Sequence, residues 1–249
     1  MIIFSDFDNT LYPHGDESGF ILNLQAVQKF RQSGHKFCIA TGRNLSSLER
    51  AWKDYSMYLD ALVLDNGAIC LNAQAQPILK FAIPLATLQT ITHDVLGCFD
   101  DISLVAYNCD LTEHPDLTQD ATKMRYWTLN NQTADEIADY LNGKYSHQVK
   151  AYPQHDCIPT RNLDFINPEC KAFVDLAAID AGKENAITKL SNIIAPGQNV
   201  VTVGDGTNDV AMLQRFDGYA IASGHPSALA AVTPSHVVES VAELINVLS

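Results

Sequence analysis

Two carboxylates two residues apart, Asp6 and Asp8, end an apolar run that starts at Met1, and a hydroxyl follows at Thr10. Acids this close repel unless a cation lies between them or one keeps its proton. Similar polar clusters follow other apolar runs: Thr41-Gly42-Arg43, Asp65-Asn66-Gly67-Ala68 and Gly204-Asp205-Gly206-Thr207-Asn208-Asp209. Lys183 opens a helical stretch between the last two. Carboxylate oxygens, completed by water and a substrate phosphate, are the ligands Mg²⁺ prefers. A carboxylate can also attack phosphorus and form an aspartyl-phosphate, splitting one hard displacement into two easier ones. That transfer needs charge neutralised on the phosphoryl oxygens, by metal, lysine, hydroxyl or backbone donors. It also needs a proton for the leaving alkoxide, and a second acid two residues on is placed to give it.

These residues must be brought together by their elements. Residues 1–5 read as a strand buried on both faces, as inside a parallel sheet. Helical apolar spacing covers 20–31, closed by Gly34, and 36–40 is a second buried strand. A helix is expected from about 45 to 55, capped by Asn44 or Ser46, and then a third strand over 60–64. Asn66-Gly67 signals a tight turn, so 69–71 should pair with 78–81. Alternating strands and helices predict a parallel sheet with right-handed crossovers. In such sheets ligands bind beyond the carboxyl ends of the strands, where these polar clusters stand.

The texture changes near Pro84. Helices are expected over 85–99 and 133–145, and strands over 102–107, 124–129, 148–152, 163–166 and 173–179. Successive strands of this kind predict an α+β unit with an antiparallel sheet. The parallel pattern returns with a helix over 185–194, strands at 199–203 and 218–222, a helix over 210–216, and Val237-Val238 before a last helix. The predicted fold class is thus α/β, a doubly wound, Rossmann-like parallel-sheet core over 1–83 and 181–249, with an α+β domain inserted at 84–180.

Composition sets limits. The 249 residues are 47% hydrophobic and 18% charged, as in ordinary globular proteins, and carry a net charge of −13. Such an acidic chain argues against nucleic-acid or anionic-membrane partners, and no apolar run reaches the length of a membrane span. Cys38, Cys70, Cys98, Cys109, Cys157 and Cys170 form no C-x-x-C pair. Reduced thiols and a cytoplasmic location are expected.

Taken singly, each piece has a plain structural alternative. Lys183 reads as a solvated helix residue, Thr41-Gly42-Arg43 as a turn, and the 205–209 loop as a calcium-type loop, although it lacks the closing glutamate of an EF-hand. In order and at strand ends, however, Asp6-Phe7-Asp8-Asn9-Thr10, Thr41-Gly42-Arg43, Gly182-Lys183-Glu184 and Gly204-Asp205-Gly206-Thr207-Asn208-Asp209 resemble the four motifs of the haloacid dehalogenase-like (HAD) superfamily. The Asn-Gly-Ala form and the insert after the third strand are similar to the Cof-type branch with a type IIB (C2) cap, which includes sugar-phosphate phosphatases.

That resemblance implies Asp6 as nucleophile and metal ligand. It implies Asp8 as general acid/base, with its backbone carbonyl on Mg²⁺. Thr41, Gly42, Lys183 and Asn208 would bind the phosphoryl group, with Lys183 restraining Asp6, and Asn208 alternatively steadying Lys183. Asp205 would ligate the metal directly, with Asp209 either a ligand itself or a support behind the ligands. Asn9 replaces the family's usual glycine, and Glu184 a frequent one; Asn tolerates the left-handed conformation, and an acid is favourable at a helix start.

Arg43 and Asn66 are candidate substrate contacts, equally readable as loop structure; Arg125 and Arg161, with His155, Asn162 and Lys171, are further candidates that read as solvated surface before substrate contact. Tyr126 and Trp127 read as core packing before sugar stacking. The implied activity is Mg²⁺-dependent hydrolysis of a small phosphorylated metabolite by a monomer or small homo-oligomer. The rival readings are a phosphomannomutase-like mutase and a receiver-type phospho-accepting domain. Against the last stand Asp8, the insert and Lys183 just before a helix.

Overall fold

Ile2, Ile3 and Phe4 are fully buried at the start of the chain, and around them the main sheet is laid. The computed structural model describes residues 1–108, 113–114, 116–157, 159 and 166–248. Strand β1 (Ile2–Ser5) leads into helix α1 (Glu17–Gln32), which Asp16 caps by accepting from the Gly19 N–H. Gly34 follows with φ +88°, the left-handed stop expected there. Strand β2 (Lys36–Ala40) is followed by α2 (Leu45–Ala51), whose Asn44 cap accepts from the Ser47 N–H.

The α2 helix stops four residues short of the expected end. Trp52 turns extended (φ −149°, ψ 96°), and its ring stacks on Phe7 at 5.9 Å and meets Phe20 edge-on at 5.5 Å. Aromatic packing here outweighs continuation of the helix. A single 3₁₀ turn (Tyr55–Met57) carries the chain onward instead.

Strand β3 (Ala61–Leu64) then turns through Asp65-Asn66-Gly67 into β4 (Ile69–Asn72), and the two pair antiparallel. Strand β5 (Pro77–Lys80) lies beside β4, the pairing expected from the turn signal. The next stretch holds α3 (Leu85–Cys98), β6 (Ser103–Asn108), β7 (Glu113–His114), β8 (Ala121–Thr128), α4 (Asn131–Lys144), β9 (Val149–Gln154) and β10 (Ala172–Ala178). Of the strand expected over 163–166, residues 163–165 lie outside the described residues, as do Cys109, Arg161 and Asn162. The chain closes with α5 (Lys183–Ile194), β11 (Val200–Gly204), α6 (Val210–Arg215), β12 (Asp217–Ile221), α7 (Pro226–Leu229), β13 (Val237–Val238) and α8 (Val241–Leu248).

Two compact units result, Met1–Leu79 with Gly182–Ser249, and Lys80–Ala181. In the first, the order is β13-β12-β11-β1-β2-β3-β4-β5. From β13 to β3 every pairing is parallel. The order runs outward in both directions from β1, which makes its carboxyl end the switch point of a doubly wound sheet. Its two neighbours, β2 and β11, are those that lead to Thr41 and Asp205.

In the second unit the order is β7-β6-β8-β10-β9, antiparallel throughout. One face is held by helices: Tyr126 is buried and its hydroxyl meets Thr92 of α3 at 3.0 Å. Asp94 of α3 binds Lys144 and Tyr145 from the end of α4. Alternation sends Arg125 and Trp127 to the opposite face. There Trp127 packs with Val105, Tyr107, Ile166 and Cys170 in a small apolar cluster. Cys38, Cys70 and Cys170 are buried free thiols, whereas Cys98 is exposed and Cys157 half-buried. Among the described residues no helix is long and apolar enough to cross a membrane.

Candidate active site

Asp6 is the first residue beyond the end of β1. Its N–H donates to Val203 O at 2.8 Å, so it stays tied to β11 as the strand gives way to loop. The chain then bends tightly: Asn9 takes φ 56°, the left-handed conformation that Asn tolerates, and Tyr12 N–H closes back on Phe7 O. This bend returns Thr10 toward the β11 loop, where its hydroxyl donates to Asp205 Oδ1 at 2.7 Å.

Lys183 is the first residue of α5 and is buried, with its ammonium between two carboxylates. Nζ donates to Asp6 Oδ1 at 2.6 Å and to Asp209 Oδ1 at 2.6 Å. The other oxygen of Asp209 accepts from the N–H groups of Asp205 (3.1 Å) and Gly206 (2.9 Å). Both oxygens of Asp209 thus have partners, in its own loop and on Lys183. Gly204 is required beneath it, because a Cβ there would stand 2.5 Å from the Asp209 carboxyl carbon.

Asp6, Asp205 and Asp209 bring one oxygen each within 4.8 Å of one another. Three acids around one lysine leave excess negative charge in a poorly solvated place. Burial pushes the Asp6 carboxyl up to about 8, with Asp209 and Asp205 adding to the rise against the pull of Lys183. Burial likewise raises Asp205, Thr10 opposing. Burial works against the Lys183 charge, but Asp209 and Asp6 outweigh it and hold the ammonium protonated well above the ordinary lysine range.

Asp8 stands apart from this cluster. Arg43 donates to it twice, from Nε to Oδ2 at 2.8 Å and from Nη2 to Oδ1 at 2.6 Å. The guanidinium lies over the Phe7 ring, 5.4 Å from its centroid, and Nη1 reaches Ser47 O and Oγ in the first turn of α2. His14 Nε2 lies 3.3 Å from Asp8 Oδ1. Sequence reasoning missed His14 and Ser47. Ser47 carried a weak signal, a polar residue one helical turn after Arg43, and His14 carried none.

Thr41 is buried just beyond β2, where its Oγ accepts from the Arg43 N–H at 3.2 Å. Asn66 bridges the loops: its N–H donates to Thr41 O at 3.0 Å, and its Oδ1 accepts from Asn208 Nδ2 at 3.0 Å. Lys183 is thus held by Asp6 and Asp209, while Asn208 reaches Asn66. In the inserted unit Arg125 is paired with Asp175 at 2.7 and 2.8 Å and stacked 3.6 Å over the centroid of Phe173. His155 pairs with Asp135 at 2.8 Å, and Lys171 is exposed. Neither is near the Asp6 cluster in sequence.

A family model for haloacid dehalogenase-like hydrolases matches residues 3–245. The chain belongs to that family. No curated protein sequence matched the hydrolase. Its fold is similar to that of TM0651 from Thermotoga maritima (TM-score 0.77, 17% identity, covering 100% of this chain and 97% of that one). It is also similar to a HAD/COF-like hydrolase from Plasmodium vivax (0.69, 19% identity, 99% and 94%). A third similar structure is the HAD subclass IIB sugar phosphatase BT4131 (0.66, 17% identity, 98% and 94%).

Proposed function

We propose that this hydrolase is a Mg²⁺-dependent phosphatase of small phosphorylated metabolites, most readily sugar phosphates, working through an aspartyl-phosphate on Asp6. The observation that carries the reading is the division of labour among the acids. Lys183 fixes Asp6 by one oxygen and leaves the other for attack, while Asp8 is held separately by Arg43. The sugar-phosphate class rests on the likeness to the subclass IIB sugar phosphatase.

The donor set fits a hard divalent cation: carboxylates of Asp6, Asp205 and Asp209 with oxygens in mutual reach, carrying more negative charge than Lys183 offsets. Bound there with the Asp8 carbonyl, Mg²⁺ would neutralise phosphoryl charge as it develops in the transition state. The protein groups do the rest. The free Asp6 oxygen attacks phosphorus, and Lys183 prevents the carboxylate from rotating away. Thr41 Oγ, which accepts from the backbone of Arg43, keeps its own hydrogen to donate to a phosphoryl oxygen. Asp8 gives the leaving alkoxide a proton, then takes one from the water that cleaves the aspartyl-phosphate. Arg43 and His14 aim its carboxylate in the free enzyme, and Arg43 must release one oxygen for Asp8 to carry the proton it gives.

Phosphate release from p-nitrophenyl phosphate and a sugar-phosphate panel, with Mg²⁺ and with EDTA, tests this. Wild type should release phosphate only with metal, and Asp6→Asn and Asp8→Ala should not. Failure of the wild type on every ester would overturn the phosphatase reading and direct the next assay to a mutase with added bisphosphate.

A further inference from the structure

Three successive residues after β3 take left-handed backbone: Asp65 (φ 50°), Asn66 (φ 54°) and Gly67 (φ 97°). Two of them carry a Cβ, and although Asp and Asn tolerate this conformation better than most residues, two in succession carry a mild strain that persists only where the surroundings hold it. Here they do. Asp65 and Asn66 donate their N–H groups to Arg43 O and Thr41 O, both at 3.0 Å. Gly67 lies so close to the residue before Lys183 that a Cβ would stand 2.3 Å from the Gly182 carbonyl. The turn is therefore locked between the loop that carries Thr41 and the start of α5 that carries Lys183.

What this strained turn displays is one amide. The Asn66 side chain lies flat on Gly42, where a Cβ would come 3.1 Å from Oδ1 and 3.3 Å from Nδ2. Asn208, the residue before Asp209, donates Nδ2 to Asn66 Oδ1 at 3.0 Å and so decides which end of the amide faces which way. With its oxygen engaged, Asn66 keeps both Nδ2 hydrogens without a protein acceptor among the described residues. A donor fixed by this turn, backed by Gly42 and held between the Thr41 loop and the Asn208 amide, suits an anionic oxygen.

We propose that Asn66 Nδ2 donates to a phosphoryl oxygen of the substrate, and that Asn208 is the positioning residue that orients this amide. The inference rests on the phosphatase reading and adds to it a neutral donor. Such a donor is useful because Lys183 is already divided between Asp6 and Asp209. Substrate recognition at this point is of the phosphoryl group itself, whatever alcohol it carries.

The test uses Asn66→Gly, which keeps the left-handed backbone at no steric cost, and Asn66→Asp, which keeps the shape but removes the donor. Kinetics on p-nitrophenyl phosphate are read beside the binding of orthovanadate in the presence of Mg²⁺, by calorimetry. Both variants should lose about 10- to 100-fold in kcat/KM, the scale of one hydrogen bond to a charged group, and the orthovanadate Kd should rise in proportion. Asn208→Ala should lose less, and should cost nothing further in an Asn66→Gly background. Unchanged orthovanadate affinity in both Asn66 variants, with or without a fall in unfolding temperature, would overturn the proposal. A wild type that neither turns over nor binds orthovanadate would overturn the phosphatase reading itself, an outcome distinct from the first.

Discussion

Arg43 grips Asp8 through both carboxylate oxygens, at 2.8 and 2.6 Å, and is itself anchored to Ser47 of α2. A planar fork of this kind fixes direction as well as charge, and lysine cannot reproduce it. Arg43→Lys should lower kcat by about 10- to 100-fold, the scale of a misaligned catalytic group. On the proposed mechanism KM should move little, since Asp8 would serve the leaving group rather than bind it. Steady-state kinetics on p-nitrophenyl phosphate read the split; a change confined to KM would mean that Arg43 binds substrate instead.

Asp6 gives a pH dependence whose sign is fixed by its surroundings. Its folded value, about 8, lies above the ordinary 3.8, so the folded protein binds this proton more tightly than the unfolded chain does. The associated stability is complete below about 4 and is lost as pH rises through 8. In EDTA, the unfolding temperature should fall between pH 5 and 9, and Asp6→Asn should flatten the fall while abolishing activity. Binding of Mg²⁺ near pH 7 should release a proton, seen as a buffer-dependent heat in calorimetry. Equal heats in two buffers would count against it.

Gly42 and Gly67 carry opposite expectations. Gly67 combines φ +97° with backbone 2.3 Å from where a Cβ would sit, so Gly67→Ala should destabilise by about 2 kcal/mol or more. At Gly42 the obstacle is only the Asn66 amide at 3.1 Å, a side chain able to shift. Gly42→Ala should leave urea stability within about 0.5 kcal/mol of wild type and still reduce turnover.

The Arg125–Asp175 pair makes a prediction about stability in the inserted unit. Asp175 is deep in the sheet; burial presses its carboxyl upward, yet Arg125 and Lys123 outweigh it and hold it below the usual range. Removing Arg125 leaves the buried Asp175 carboxylate with only Lys123 to offset it, at a cost of about 3 kcal/mol, and removing Asp175 leaves a half-buried guanidinium at a somewhat smaller cost. Arg125→Met or Asp175→Leu alone should lower the urea midpoint sharply, and the two together should cost less than their sum. Strict additivity would show that the pair is not coupled.

Much of this molecule was legible in one dimension because its chemistry is tied to strand ends. A two-sided apolar strand can only be interior, so the residue just beyond its end must face the crevice. Asp6, Thr41 and Asp205 inherit their places from β1, β2 and β11 in this way. The left-handed backbone of Asn9 is consistent with its standing where the resembled family has glycine, since Asn tolerates that conformation. The partners of these side chains were another matter, since they are set by distance in space between segments far apart in sequence. Lys183 meets Asp6 and Asp209 across 177 and 26 residues, and Asn208 meets Asn66 across 142. Arg125 read as solvated surface before substrate contact, and neither reading foresaw the Asp175 that β10 puts beside it. Trp52 could not be known to end α2 before Phe7 and Phe20 were seen around it. Sequence fixes which groups exist and which strand end carries them; only the packed sheet decides which oxygen each nitrogen reaches, because a hydrogen bond depends on a few tenths of an ångström that periodicity does not encode.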